Sequence, residues 1–203
     1  ALGLCFGAGI GSVQEKMKKF LLLLLFIPLV SFGQLGEYYF SDGHSKSKGL
    51  NFQIKKPLGF EQNEADRPNI VQKWEKDKND NNKYVAFMII VKKDDEIKAL
   101  SKKDWIQYLK NEGGVEDMTS GLPNSSNSKF YTIDNYPGVI SDVKMTMDRL
   151  DKKFTIYMTQ ITVFVESYAF VFQLSSPSKI NREANKSLYY KLANSIIFPD
   201  QYN

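Results

Sequence analysis

The chain has 203 residues, 42% hydrophobic and 25% charged, which suits one substantial core and excludes a disordered chain. Its net charge of +4 is partly an N-terminal effect, since Lys16, Lys18 and Lys19 face only Glu15 there, and the near-neutral remainder gives no electrostatic basis for nucleic-acid binding. The single cysteine, Cys5, precedes the segment expected to be removed, so the mature chain is expected to form neither disulfides nor thiolate metal sites.

Residues 1–16 begin without Met and precede a better start at Met17, so they read as an upstream extension. Their Gly7-Ala8-Gly9-Ile10-Gly11 cluster lacks the strand before and helix after that a dinucleotide loop needs. Met17-Lys18-Lys19 and the apolar run Phe20–Phe32 have the layout of a signal peptide over 17–33, with Ser31 and Gly33 small enough for cleavage before Gln34. The run is shorter than the roughly twenty residues that span a bilayer. No lipoprotein cysteine follows it, and the ending Ser31-Phe32-Gly33-Gln34 resembles signal-peptide ends of Bacteroidetes. The expected location is therefore periplasmic or secreted, with no stable membrane span after cleavage.

Residues 34–49, rich in Gly, Ser and Lys after Tyr38-Tyr39-Phe40, read as a tether with room for one early edge strand. A single domain is expected over 50–199. Leu50, Phe52 and Ile54 alternate with polar residues as a half-buried strand, ended by Pro57 and Gly59. Ile70–Glu75 and Tyr84–Lys92 follow as strands, the second apolar on both sides and therefore central. Ser101 suits a helix N-cap, with Asp104 near the positive end, Trp105, Ile106 and Leu109 as the buried stripe and Gly113 as a stop. Residues 113–128 read as a long loop, either mobile or a lid.

Phe130–Ile133 reads as a short strand and Asn135-Tyr136-Pro137-Gly138 as a turn. Val139, Val143, Met145 and Met147 then alternate inward against Asp142, Lys144, Thr146 and Asp148 outward. Phe154–Ser176 is rich in β-branched and aromatic residues and breaks once, near Glu166-Ser167, as two strands of a hairpin. Its apolar phase shifts between Met158 and Ile161, which a β-bulge near Thr159-Gln160 would accommodate; bulges often lie beside functional sites, so a groove is expected there. A last helix is expected from Arg182 to Ile197, with Leu188, Tyr189, Leu192, Ala193 and Ile196 as its stripe. Strands in runs imply an α+β fold, an antiparallel sheet of about six or more strands with helices packed on it.

Leu50-Asn51-Phe52-Gln53-Ile54 leading into Pro57-Leu58-Gly59-Phe60, a mid-domain helix, a meander of long strands, and a closing helix ending Asn194-Ser195-Ile196-Ile197-Phe198 resemble the PsbP-like superfamily over residues 50–199. The resemblance implies a PsbP-like sandwich and an accessory or binding module, and transfers no functional residue.

The candidate chemistry is thin. His44, the only histidine, sits in Ser41-Asp42-Gly43-His44-Ser45, but a hydrolytic site needs its histidine held by a carboxylate and aimed at a serine. Asp77-Lys78-Asn79-Asp80-Asn81 begins like a calcium loop, yet Asn82 stands where Gly is required and Met88 where a bidentate Glu belongs. Asp94-Asp95-Glu96 reads as a solvated loop, and Trp74 and Trp105 as core. No catalytic, cofactor-binding or metal-ligating residue is assigned, and no cofactor is expected. The leading expectation is a non-catalytic exported binding or accessory domain whose partner is a protein or small ligand of the cell envelope. The alternatives are an envelope hydrolase with a carboxylate or serine site beside residues 113–128, and a carrier holding lipid or a small ligand between sheet and helix.

Overall fold

A computed structural model describes residues 34–65, 67–97, 100–111, 113–149 and 152–202; the expected extension 1–16 and signal segment 17–33 lie outside the described residues. The strands are β1 (Leu35–Phe40), β2 (Gln53–Pro57), β3 (Glu61–Asn63), β4 (Ile70–Lys76) and β5 (Val85–Lys93). Helices α1 (Lys102–Lys110) and α2 (Gly114–Thr119) precede β6 (Ser125–Ile133), β7 (Tyr136–Arg149), β8 (Lys152–Val165), β9 (Tyr168–Ser176) and helix α3 (Lys179–Ala193).

Seven strands form one sheet in the order β3-β4-β5-β9-β8-β7-β6, every neighbouring pair antiparallel, while β1 and β2 make a separate antiparallel pair. The α+β class expected from the sequence is the class found. The β8–β9 hairpin turns through Glu166 and Ser167, with Val165 opposite Tyr168, and places β9 at the centre of the sheet. A central strand needs apolar side chains on both faces, which is why this stretch carries no Pro or Gly.

One face of the sheet is covered over its centre. Phe87 and Ile89 of β5, Ile161 and Val163 of β8, and Phe170 and Phe172 of β9 are buried beneath Leu188, Tyr189 and Leu192 of α3 and beneath Phe52 and Ile54. Tyr189 stacks on Phe172 at 4.8 Å and donates its hydroxyl hydrogen to the Phe172 carbonyl at 2.7 Å. Each large side chain buried in this way contributes about 1.5–3 kcal/mol. Helix α1 is fixed at its start by a reciprocal capping box between Ser101 and Asp104. With α2 it covers one end of the opposite face, where Leu109 and Val115 pack near Val139 and Phe164, and Trp105 stacks on Phe164 at 4.1 Å.

The chain departs from the sequence reading at five places. Residues 34–49 are not a tether: β1 pairs with β2, and Tyr39 packs on Phe52 and, edge-on, on Trp74. Residues 113–128 hold α2 and the start of β6, because Val115 and Met118 find apolar partners and the backbone from Ser125 pairs with β7. The β6–β7 turn is Asp134-Asn135, both with positive φ (46° and 65°), so Tyr136, Pro137 and Gly138 already belong to β7. Gly138 is required there, since a Cβ would overlap the Thr162 carbonyl oxygen. Helix α3 begins at Lys179, capped by Ser178, rather than at Arg182, and ends at Ala193.

The fifth departure matters most for function. There is no bulge at Thr159-Gln160: β8 runs in unbroken register against both neighbours, with Gln160 opposite Ser141 and Gln173. Ile161, Val163 and Val165 face α3, while Ile156 and Met158 lie on the other side. Both phases are apolar because the sheet has two apolar faces. For the same reason Asp142, read as outward, lies buried under α3, while Val143, Met145 and Met147 line the second face.

Candidate functional site

Because α1 and α2 cover only one end of the second face, the rest remains an open groove of about 670 Å³. Its floor is built by alternation: successive same-side residues of antiparallel strands line up, so Met88 and Ile90 of β5, Gln173 and Ser175 of β9, and Ile156, Met158 and Gln160 of β8 lie side by side. Val143, Met145 and Met147 of β7 complete it, and Leu122 and Pro123 stand on the rim.

Four of the chain's six methionines line this groove. Thioether chains are unbranched and polarizable and adapt to what they touch, a property of surfaces that bind rather than of cores that specify one packing. Aromatic residues make up 13% of the sequence, yet none is among the described residues lining the groove. A sugar-stacking platform is therefore missing, and the surface is aliphatic with one polar track. That track is the cross-strand pair Gln160 and Gln173, with Ser175 beside it; the Gln173 amide donates to the Met158 sulfur at 2.9 Å.

Glu75 closes one end. It is 1% exposed and accepts hydrogen bonds from Asn63 at 2.8 Å and from the Tyr84 hydroxyl at 3.0 Å. It also pairs with Lys73 and with Lys78. Burial pushes its carboxyl upward, but the bonds from Lys73 and Tyr84 outweigh this and hold it below the usual glutamate range. Its lone pairs are occupied, so Glu75, Lys73 and Lys78 are tied to one another, while Glu64 and Arg67 also line this end.

A second polar cluster sits under α3, on the opposite face of β7 and β8. The Asp142 carboxylate accepts from Thr159 Oγ1 at 2.6 Å, Asn127 Nδ2 at 3.0 Å and Lys186 Nζ at 2.8 Å, and forms an ion pair with Arg182 Nη1 at 3.1 Å. Arg182 Nη1 also donates to the Met158 carbonyl, and Arg182 Nη2 and Lys186 pair with Glu183. Burial raises the Asp142 carboxyl, and its four partners, Lys186 foremost, bring it below the ordinary aspartate value.

The residues weighed from sequence have other employment. Ser41 is buried, donating to the Leu50 carbonyl and accepting from the Phe52 amide, while His44 Nδ1 accepts from the Lys46 amide as the cap of a short 3₁₀ turn. They do not meet as a catalytic pair. Asp80 caps the Asn82 amide and Asp94 the Glu96 amide. Among the described residues no three His, Cys, Asp or Glu side chains come together as a metal site. Gln160 does line the groove, whereas its neighbour Thr159 faces the other way and serves Asp142. The methionines were the signal to be read: Met145 and Met147 alternate on a strand face that no helical stripe in the sequence is left to cover.

No family model and no curated protein matches the sequence. Solved structures of similar fold include cyanobacterial PsbP (CyanoP) from Synechocystis sp. PCC 6803, 15% identical, covering 97% of this chain and 98% of that one at a TM-score of 0.45. LpqN of Mycobacterium tuberculosis, described as involved in cell envelope biogenesis, is 12% identical over 79% of this chain and 90% of that one, TM-score 0.44. PA94 of Pseudomonas aeruginosa, of unknown function, is 11% identical over 79% and 96%, TM-score 0.43. These are likenesses of fold alone. No helix among the described residues is long and apolar enough to cross a membrane.

Proposed function

We propose that this chain is an exported, non-catalytic binding or accessory module of the cell envelope, and that the methionine groove is its binding surface for an extended peptide segment bearing aliphatic side chains. The observation that carries this reading is the groove floor, where flexible thioethers flank a track of two glutamine amides. An acyl chain would use only the thioethers; an extended peptide also has backbone N–H and C=O groups for Gln160, Gln173 and Ser175 to meet. Glu75, Lys73 and Lys78, at one end of this surface, are tied to one another. Export rests on the signal-like segment 17–33, and sequencing of the exported protein is expected to begin at Gln34.

Photo-methionine incorporated in the producing cells tests the binding reading. Adducts from Met145 and Met147 to a single envelope protein are expected, with few from Met118, which packs beneath α2. Lipid adducts alone would move the reading to a carrier. Equal labelling of Met118 and the groove methionines would defeat it.

A further inference from the structure

On the α3 side of β7 and β8, away from the groove, lies a polar pocket of about 300 Å³. Lys144, Lys179 and Arg182 line it, with hydroxyls from Ser126 and Tyr157. Among the described residues its one carboxylate is Asp142, which is paired with Arg182 and Lys186. With three cations against one carboxylate the pocket carries an excess of positive charge, and it lies at the start of a fifteen-residue helix where the Ser178 side chain meets only the Asn181 N–H of the first turn.

The decisive residue is Arg182, which is 5% exposed. Its guanidinium is only partly committed. Nη1 is spent on Asp142 and the Met158 carbonyl, Nη2 on the half-exposed Glu183, and Nε is buried with no hydrogen-bond partner among the described residues. A buried donor without a partner costs stability unless something meets it. Nε and Nη2 form one edge of the guanidinium, the edge that takes a two-oxygen acceptor with two parallel bonds. We infer that this pocket binds a phosphate monoester: two of its oxygens take the Nε–Nη2 edge and displace Glu183, while Lys144, Lys179 and the first turn of α3 hold the rest of its charge. The pocket is larger than phosphate alone needs, leaving room for a small organic group. No bond is made or broken in this step.

The test is a two-dimensional NMR titration of the isotope-labelled chain at constant ionic strength, following the Arg182 Nε–H signal and the Lys179 and Ile180 amides. The probes are inorganic phosphate, glycerol 3-phosphate, and vesicles of phosphatidylcholine with or without phosphatidic acid. Saturable shifts of these three signals are expected with phosphate and more tightly with glycerol 3-phosphate, which identifies a soluble source. The same shifts with phosphatidic acid vesicles only would identify a lipid source, and either supports the site. Because Arg182 also anchors α3 on Asp142, the control is the exposed pair Lys144→Gln with Lys179→Gln, expected to weaken binding about five- to tenfold. No saturable shift with any probe, or shifts that survive the double substitution unchanged, would overturn the inference.

Discussion

Replacing Asp142 by Asn keeps the shape of the side chain and removes its charge. Asp142 is 7% exposed; its carboxylate accepts three hydrogen bonds, one of them from the cation Lys186, and is ion-paired with Arg182. An amide offers one oxygen and turns an NH₂ group toward donors that have nowhere else to go. The charge-assisted bond from Lys186, worth about 1.5–3 kcal/mol, is weakened, and a buried Arg182 keeps its charge without its partner, so D142N is expected to lose about 3–5 kcal/mol. Urea denaturation at neutral pH measures this. The pH dependence adds an independent sign. The folded carboxyl titrates below its unfolded value, so its stabilisation is complete above about pH 3.9 and drains as pH falls through the lower folded value. The stability gap between wild type and D142N should therefore be widest at neutral pH and close in acid. Glu75, also held low, lies in a separate cluster and cancels in the difference, whereas Glu183 shares Arg182 and Lys186 with Asp142 and is replaced by Gln in both proteins for this comparison. A loss below about 1 kcal/mol, or a gap independent of pH, would refute the assignment of Asp142 as the ionised anchor of α3.

Three further substitutions probe other parts of the fold. Gly138→Ala drives a methyl group into the Thr162 carbonyl and Val163, and should destabilise by at least about 2–3 kcal/mol in the same urea assay. Ser101→Ala removes one half of the α1 capping box and should cost about 1 kcal/mol, seen as a lower thermal midpoint. Met145→Thr with Met147→Thr changes the groove floor, where Met147 is 41% exposed, and should shift stability by less than about 1 kcal/mol while abolishing the photo-crosslink from a methionine retained at Met88.

The order of elements was legible because its signals are local. Ser101 and Asp104 mark a helix start by chemistry that operates within one turn, and the alternation in β5 and β9 states their burial directly. The faces were harder. Alternation says which residues share a side and says nothing about what covers that side, so Asp142 read as solvent-facing when α3 lies over it. The same ambiguity made the phase change between Met158 and Ile161 look like a bulge. Segment 34–49 was misread for a different reason: its order comes from Tyr39 packing on Trp74, thirty-five positions later, which composition does not announce. The Asp142 cluster joins β6, β7, β8 and α3, and no spacing rule in the sequence brings those four together.

The two faces of the sheet thus differ in what their apolar residues are for. The α3 face is closed by a helix whose Tyr189, Leu192 and Ala193 are fully buried, and its side chains are branched or aromatic, the kinds that hold one packing. On the other face, closure stops at Phe164, and beyond it the residues change character to methionine, glutamine and serine. Stability alone would favour polar substitutions on an open sheet face, as antiparallel sheets with one solvated side usually show. A floor that stays apolar, drops its aromatics and adopts flexible thioethers is better explained by an intermittent occupant than by a core left unfinished.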